Sequence, residues 1–95
     1  MAERDAEDPY RIVLAPGARR ALTDTLPGAA AFAAWEFISG PLAEAPHRVG
    51  TPLRAPFAGQ WRARRGEYRV RYDVEDRTRT VRILHIDHRR DAYRP

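Results

Sequence analysis

The sequence predicts an α+β domain, with an N-terminal strand and a helical hairpin packed on a small antiparallel sheet that ends in a C-terminal three-strand meander. Three observations lead to this prediction. Apolar and charged residues alternate with a period of two along much of the segment 59–93, which is typical of half-buried strands. Residues 29–38 are rich in alanine and carry large apolar side chains at helical spacing. Short turn-forming pairs separate the alternating runs, which favours antiparallel hairpins.

Length and composition indicate one small domain. The chain has 95 residues, and we expect residues 1–8 to form a disordered acidic leader before a single domain over residues 9–95. The leader lacks the basic and then apolar character of a signal peptide, and no apolar run is long enough to cross a bilayer. There are no cysteines, and the three histidines lack the spacing of a metal site. We therefore expect a cytoplasmic protein, with no metal indicated.

The first half of the chain is predicted to be scaffold. Residues 10–14 have the β-branched and aromatic composition of a short strand, which Pro16 and Gly17 end. Apolar residues at helical spacing predict a first helix over residues 18–26, and Pro27 ends it.

A second helix is predicted over residues 29–38, with Gly40 and Pro41 stopping or kinking it. Its apolar stripe is expected to back the sheet through Phe32, Trp35, Ile38 and Leu42. Residues 46–59 contain several prolines and glycines, so we expect a connecting loop without regular helix. Three apolar residues of this loop are candidate anchors: Val49, Leu53 and Phe57.

The second half is predicted to form three strands, over residues 61–65, 68–75 and 80–86. In the middle strand Tyr68, Val70, Tyr72 and Val74 occupy alternate positions, which places Arg69 on the opposite, open face. Trp61 and Tyr72 are expected to pack in the core rather than stack on bases.

Positive charge is concentrated in this second half. Every basic side chain is an arginine; residues 1–46 carry four arginines and seven acids, whereas residues 47–95 carry thirteen arginines and six acids. An excess of positive charge in the half of the chain that forms the sheet indicates a partner rich in phosphate.

With loop and meander in place, the chain resembles the RelE/ParE toxin superfamily and is most similar to RelE-type toxins of actinobacteria. Three motifs carry the resemblance: G-P-L-A-E-A-P-H-R-V-G-T-P-L-R from Gly40, G-x-W-x-A-R-R-G-E-Y-R-V-R-Y from Gly59 and I-D-H-R-R-D-A-Y-R from Ile86. The resemblance spans residues 9–94. It implies a RelE-like fold and a toxin of a type II toxin–antitoxin pair, usually a messenger-RNA endonuclease that acts in the ribosomal A site without a metal.

The resemblance also implies which residues act on RNA. It places the groups that contact phosphate and stabilise the transition state at Arg62, Arg64, Arg69 and Arg89, with Tyr93 nearby. Strand alternation agrees for the first three, which can share one face. Further contacts with RNA are expected from Arg65, Arg71, His88 and Arg90.

Proton transfer is left open by the sequence. Some family members have lysines where this chain has Arg62 and Arg64, and arginine cannot act as a conventional base. The alternatives are Tyr93, His85, His88 or Glu67, or a mechanism that relies mainly on orientation and charge. Of the two strand histidines, we expect His85 to be hydrogen-bonded and partly buried and His88 to be better exposed.

Two functions compete at this stage. One is a ribosome-dependent messenger-RNA endonuclease that cleaves by attack of the ribose 2′-OH. The other is a non-nuclease toxin of the ParE kind that inhibits DNA gyrase. The expected partners are a cognate antitoxin protein with an acidic segment, the 70S ribosome and messenger RNA, with no membrane and no small-molecule cofactor.

Overall fold

The computed structural model describes residues 8–88, so residues 1–7 and the predicted site residues Arg89, Arg90 and Tyr93 lie outside the described part of the chain. The elements in order are β1 (Arg11–Leu14), α1 (Pro16–Arg20), α2 (Gly28–Phe37), α3 (Pro46–Val49), β2 (Thr51–Pro52), β3 (Trp61–Arg65), β4 (Tyr68–Glu75) and β5 (Thr80–His88). Wider π-helical turns extend α1 through Ala21–Thr25 and α2 through Ile38–Leu42. The predicted order of a strand, a helical hairpin and a three-strand meander is confirmed.

The strands form a five-stranded sheet in the order β1-β5-β4-β3-β2. The meander β3-β4-β5 is antiparallel as predicted, and Gly66 allows its first turn because a φ of 60° favours glycine. The expectation of a wholly antiparallel sheet is wrong for β1, which pairs parallel with β5. The helices carry the chain back across the sheet before the meander begins, so β1 and the last strand run side by side in the same direction.

Helix α2 packs on the sheet through a face that differs from the predicted stripe. Phe32 and Trp35 are 65% and 42% exposed, whereas Ala34 and Phe37 are buried. The helix is apolar around much of its circumference, so periodicity alone could not select the buried face. Small alanine side chains let the helix backbone approach the sheet, and the largest aromatic groups are left outside. The remaining members of the predicted stripe are fully buried: Ile38 and Leu42.

Proline at position 41 does not end the second helix. The chain continues through it in the π-helical turn Ile38–Leu42. A proline has no N–H to donate and its ring crowds the carbonyl four residues earlier, and the wider π-helical turn accommodates both effects. The helical hairpin is therefore longer than the sequence pattern predicted.

The segment 46–59 is more regular at its start than predicted. It begins with α3, a single turn whose first residue is Pro46, and continues into β2, which pairs with β3. Proline suits a first helical position because that position needs no N–H donor. Of the predicted anchors, Val49 packs against the core, but Phe57 is 42% exposed.

Two tyrosine hydroxyls join the helices to the sheet. Tyr68 donates a hydrogen bond of 2.9 Å to the carbonyl oxygen of Ala33, and Tyr72 donates one of 2.7 Å to that of Pro46. Tyr72 is fully buried, as predicted, and its burial raises the pKa of its phenol to about 12. Trp61 also packs against the core, with its ring centroid 5.2 Å from that of His47.

The register of β5 shifts opposite the step from Arg71 to Tyr72 of β4. Tyr72 pairs with Ile83 and Arg71 pairs with His85, so Leu84 is the extra residue of a β-bulge. Beyond the bulge the alternation is reversed. His85 consequently faces the open side and His88 the helix side.

Candidate nucleic-acid interface

The open face of the sheet brings together six polar side chains in two rows across β3, β4 and β5. One row pairs Arg62 with Arg71 and Arg71 with His85. The other pairs Arg64 with Arg69 and Arg69 with Asp87. Directly opposed residues in antiparallel strands are separated by roughly 5 Å. We call this set of six residues the open-face grid.

The open-face grid exists because apolar residues occupy the intervening positions. Ala63, Val70 and Ile86 are buried against the helices, which directs their strand neighbours to the opposite side. The prediction that Arg62, Arg64 and Arg69 share one face is confirmed, and Arg71 joins them.

The arginines of the open-face grid lack carboxylate partners within residues 8–88. The ion pairs in this part of the chain join Arg82 to Asp73 and three histidines to acids. Four guanidinium groups therefore repel one another across adjacent strands, with Asp87 as the nearby acid. A surface with uncompensated, opposed cations is costly for folding and well suited to bind an anion.

A pocket of about 210 Å³ lies at one side of the open-face grid. Its lining consists of Leu53, Phe57, Arg62, Arg69, Arg71 and Asp87. The Arg71 guanidinium carbon lies 4.8 Å from the centroid of the Phe57 ring, a cation–π contact that orients the group. The Nε atom of Arg71 is buried and has no hydrogen-bond partner among the described residues.

The two strand histidines exchange the environments predicted for them. His85 has a side chain that is 47% exposed, and its Nε2 lies 2.7 Å from Oδ1 of Asp87. The expected hydrogen bond is present, but the expected burial is not. His88, predicted to be exposed, is 9% exposed overall and lies 3.5 Å from Oε1 of Glu67 through its Nε2. The bulge at Leu84 causes both differences because it reverses the alternation of the strand.

Arg65 lies apart from the open-face grid. It pairs with Tyr68 at the end of β3, on the helix side, and its guanidinium carbon is 5.0 Å from the centroid of the Phe37 ring. Arg65 and Arg64 are adjacent in sequence and project to opposite faces. The predicted contact of Arg65 with RNA is therefore not part of the same surface.

Three members of this site, namely Leu53, Phe57 and Asp87, were not singled out from the sequence as acting on RNA, whereas His85 was one of the alternatives for proton transfer but was expected to be partly buried. The spacing of His85 and Asp87 was an available signal, since residues i and i+2 of a strand share a face. Leu53 and Phe57 offered no such signal because they come from an irregular loop.

Within residues 8–88, no group of three or more histidine, cysteine or acidic residues could hold a metal ion. In the same residues, no helix is long and apolar enough to cross a membrane.

Comparison with known proteins gives a consistent result. The sequence model for the ParE toxin of the type II toxin–antitoxin system parDE matches residues 12–93. Toxin RelG of Mycobacterium tuberculosis (strain ATCC 25618 / H37Rv) is 46% identical over 86 residues, which cover 90% of this chain and 98% of RelG. Toxin RelE of the same strain is 43% identical over 88 residues, which cover 93% of this chain and 90% of RelE.

Solved structures agree with the sequence relatives. The crystal structure of the toxin–antitoxin complex RelBE2 from Mycobacterium tuberculosis matches with a TM-score of 0.82 at 46% identity, covering 85% of this chain and 92% of that chain. The archaeal RelE–RelB complex from Pyrococcus horikoshii OT3 matches with a TM-score of 0.66 at 26% identity, covering 86% and 97%.

The fold and the open-face grid define a class of small, basic α+β proteins that present cationic groups on one open sheet face. The chain belongs to the RelE/ParE toxin family and is a RelE-type toxin of a type II toxin–antitoxin system. The resemblance drawn from the three sequence motifs is thereby confirmed.

Proposed function

We propose that this toxin is a ribosome-dependent endoribonuclease that cuts messenger RNA, inhibits translation and acts in the cytoplasm. The observation that supports this proposal is the set of four arginines on one open face without carboxylate partners in residues 8–88. Its similarity to the toxin RelE of Mycobacterium tuberculosis agrees with a nuclease.

The proposed reaction is an in-line attack of a ribose 2′-oxygen on the adjacent phosphorus. The new bond produces a 2′,3′-cyclic phosphate, and the bond to the 5′-oxygen of the next nucleotide breaks. Negative charge grows on the phosphoryl oxygens, and planar guanidinium groups can bind two of these oxygens at once. Positioned charge of this kind supplies much of the catalysis of phosphoryl transfer, and no metal is required for it.

Arg69 is placed at the centre of this chemistry because it lies between Arg64 and Asp87 and also lines the pocket. Arg62, Arg64 and Arg71 would bind the phosphate backbone around it. Arg89 and Tyr93 retain the catalytic roles implied by the family resemblance, and Arg90 retains its RNA contact.

The shape of the site supports the proposed dependence on the ribosome. The pocket beside the open-face grid has about 210 Å³, whereas sites that enclose a ligand usually have roughly 300–1,000 Å³. We expect an open, shallow surface of this kind to orient free RNA poorly for in-line attack. The ribosomal A site would supply this orientation by holding the message in a fixed conformation.

A cognate antitoxin is the second proposed partner. Two structural relatives are described as RelB–RelE or RelBE2 toxin–antitoxin complexes. For this chain, we expect an acidic antitoxin segment that folds on binding and covers the open-face grid. Because charge would then carry much of the interface, neutralisation should weaken as salt rises, and a complex that is unaffected by molar salt would contradict this placement.

The experiment uses purified toxin, 70S ribosomes and a short message positioned in the A site. Cleavage should occur without added metal beyond that needed to keep the ribosome assembled, and a message with a 2′-deoxy nucleotide at the scissile position should remain intact. Equal cleavage of ribosome-free RNA would contradict the proposed dependence. The alternative is a ParE-like gyrase inhibitor, for which the family match to a ParE toxin is the supporting observation; loss of gyrase supercoiling with no cut message would favour it.

A further inference from the structure

We infer that His85, positioned by Asp87, accepts the proton of the attacking 2′-hydroxyl. This inference rests on the proposed function, because it names a group that acts within the proposed cleavage. It is carried by a histidine–carboxylate pair that stands in the open-face grid beside the arginines.

The reaction needs a proton acceptor that arginine cannot provide. Guanidinium groups remain protonated at any accessible pH, so Arg62 and Arg64 can stabilise charge but cannot take a proton. Imidazole is the side chain that ordinarily titrates between about pH 5 and pH 8. Within residues 8–88, His85 is the one histidine of the open-face grid, since His88 faces the helix side and His47 lies in α3.

The hydrogen bond to Asp87 determines which nitrogen can act. Oδ1 of Asp87 lies 2.7 Å from Nε2 of His85, and an ionised carboxylate can only accept a hydrogen bond. Nε2 therefore carries the proton in this pair, which leaves Nδ1 with its lone pair in the neutral ring. A carboxylate that fixes the tautomer and orientation of a histidine is a common arrangement in general-base catalysis.

His85 lies close enough to the arginines to act on a nucleotide whose phosphate they would bind. His85 lies directly opposite Arg71, and Arg71 lies directly opposite Arg62, at separations of roughly 5 Å. A phosphate bound between neighbouring rows would thus have its own ribose within reach of the imidazole. The His85 side chain is 47% exposed, so a nucleotide can approach it.

The charged groups near His85 belong to its own strand and to the elements packed against that strand. On its own strand, Asp87 contacts it and Arg82 is engaged with Asp73 at 3.0 Å. On β4, Arg71 faces it directly and Arg69 lies two residues further along the strand, opposite Asp87. Helix α1 packs against β5 and carries two exposed arginines in its last turn: Arg19 and Arg20.

The proton balance of the step is complete without water being consumed. The 2′-hydroxyl proton moves to Nδ1 of His85 while the 2′-oxygen forms its bond to phosphorus. The bond from phosphorus to the 5′-oxygen breaks with its electron pair on oxygen, and this oxygen takes a proton from solvent. The imidazolium returns its proton to solvent, so the products are a 2′,3′-cyclic phosphate and a 5′-hydroxyl.

A second histidine–carboxylate pair provides a matched control. Nε2 of His47 lies 3.3 Å from Oδ2 of Asp76, and its side chain is 44% exposed, close to the exposure of His85. His47 belongs to α3 and contacts the rings of Tyr10 and Trp61 rather than the open-face grid. Its loss removes a similar ion pair without touching the proposed site.

The test measures single-turnover cleavage of message on 70S ribosomes between pH 5.5 and pH 8 for the wild type, His85→Ala and His47→Ala, each with a melting curve. We expect the wild-type rate to rise with pH and then level off. His85→Ala should fold normally, lose ~100-fold or more in rate and lose this pH-dependent rise. Added imidazole should restore part of its rate, and His47→Ala should keep the wild-type profile.

Three results would overturn the inference. If His85→Ala cleaves at the wild-type rate with the wild-type pH profile, His85 takes no part, although the proposed nuclease function stands. If it is slow but keeps the pH-dependent rise and is not rescued by imidazole, His85 binds RNA rather than accepting the proton. If the wild type does not cut the message at all, the proposed function and the inference fail together.

Discussion

Arg69→Ala tests the proposed site most directly. Arg69 is half-buried at the centre of the open-face grid, with Arg64 opposite it on one side and Asp87 on the other. It forms no ion pair within residues 8–88. The substitution removes a guanidinium that lines the pocket and leaves the surrounding strands unchanged.

The structure predicts a large effect of this substitution on the cleavage rate and a small effect on stability. Losing one preorganised donor to the developing phosphoryl charge should raise the barrier by ~3–4 kcal/mol, which is a loss of ~10²–10³-fold in cleavage rate. For stability, the removed charge faces Arg64 directly, and opposed like charges cost roughly 0.2–1 kcal/mol. The lost packing of the side-chain stem offsets this gain, so we expect a net change within ~0.5 kcal/mol and a melting temperature within ~4 °C of the wild type.

The assay combines cleavage on programmed ribosomes with thermal unfolding of the same preparation. Arg69→Lys should recover only part of the rate, because an ammonium keeps the charge but cannot bind two oxygens in a plane. Arg82→Ala is the matched control on the same sheet face, since Arg82 is bound to Asp73 at 3.0 Å. It should keep the wild-type cleavage rate and lose at most ~1 kcal/mol of stability.

A folded Arg69→Ala protein that cleaves as fast as the wild type would remove Arg69 from the mechanism. A variant that melts much earlier but cleaves normally per folded molecule would show that Arg69 is structural. Equal losses of rate in Arg69→Ala and Arg82→Ala would mean that only the overall positive charge of the face matters.

Three further predictions concern the packing at Gly50, the titration of Tyr72 and the two faces of β3. Gly50→Ala should cost ~1–3 kcal/mol in denaturant unfolding, because its Cβ would lie 2.0 Å from the Tyr72 hydroxyl oxygen and 3.1 Å from the Arg62 carbonyl. A Gly50→Ala or Gly50→Ser protein with the same free energy of unfolding as the wild type would contradict this contact. Burial raises the pKa of Tyr72 from its usual 10.0 to about 12, so its proton binds more tightly in the folded state. This contributes ~2–3 kcal/mol that is present below pH 10 and lost as pH rises towards 12, and Tyr72→Phe should remove that part of the alkaline decline. Arg64→Ala should slow cleavage ~10-fold or more whereas Arg65→Ala should not, and equal losses would show that RNA reaches the helix side.

Strand alternation accounts for the part of the site that could be predicted. Tyr68, Val70 and Tyr72 are apolar and alternate along β4, so they were expected to pack in the core and Arg69 and Arg71 to lie on the open face. The same alternation of buried and open-face residues applied to β3. This reasoning depends only on nearest neighbours in the chain. It therefore holds wherever a strand is regular.

The remainder of the site depends on contacts that a single strand does not encode. The bulge at Leu84 interrupts β5, which pairs with both β1 and β4, and no residue near it marks the interruption. His85 and His88 were consequently assigned to the wrong faces. Phe57 reaches the grid from an irregular loop, and its contact with Arg71 is a tertiary one.

The buried face of α2 was unpredictable for a different reason. Its sequence offers apolar side chains on all sides, so Ala34 and Phe32 were equivalent by periodicity. The face that packs on the sheet contains Ala34 and Phe37, and Phe32 lies outside it.

The bulge at Leu84 divides β5 into two halves that differ in their pairing with neighbouring strands. Up to Ile83 the strand has hydrogen-bonded neighbours on both sides, whereas after Leu84 its one neighbour among residues 8–88 is β4, since the pairing with β1 ends at Leu14. The first half is held on both sides and stabilises the sheet. The second half, which carries His85 and Asp87, is held on one side. Backbone amides of residues 81–83 should therefore exchange with deuterium more slowly than those of residues 85–87. If the proposed function holds, the segment that carries His85 and Asp87 could adjust to a bound message while residues 81–83 keep the sheet intact.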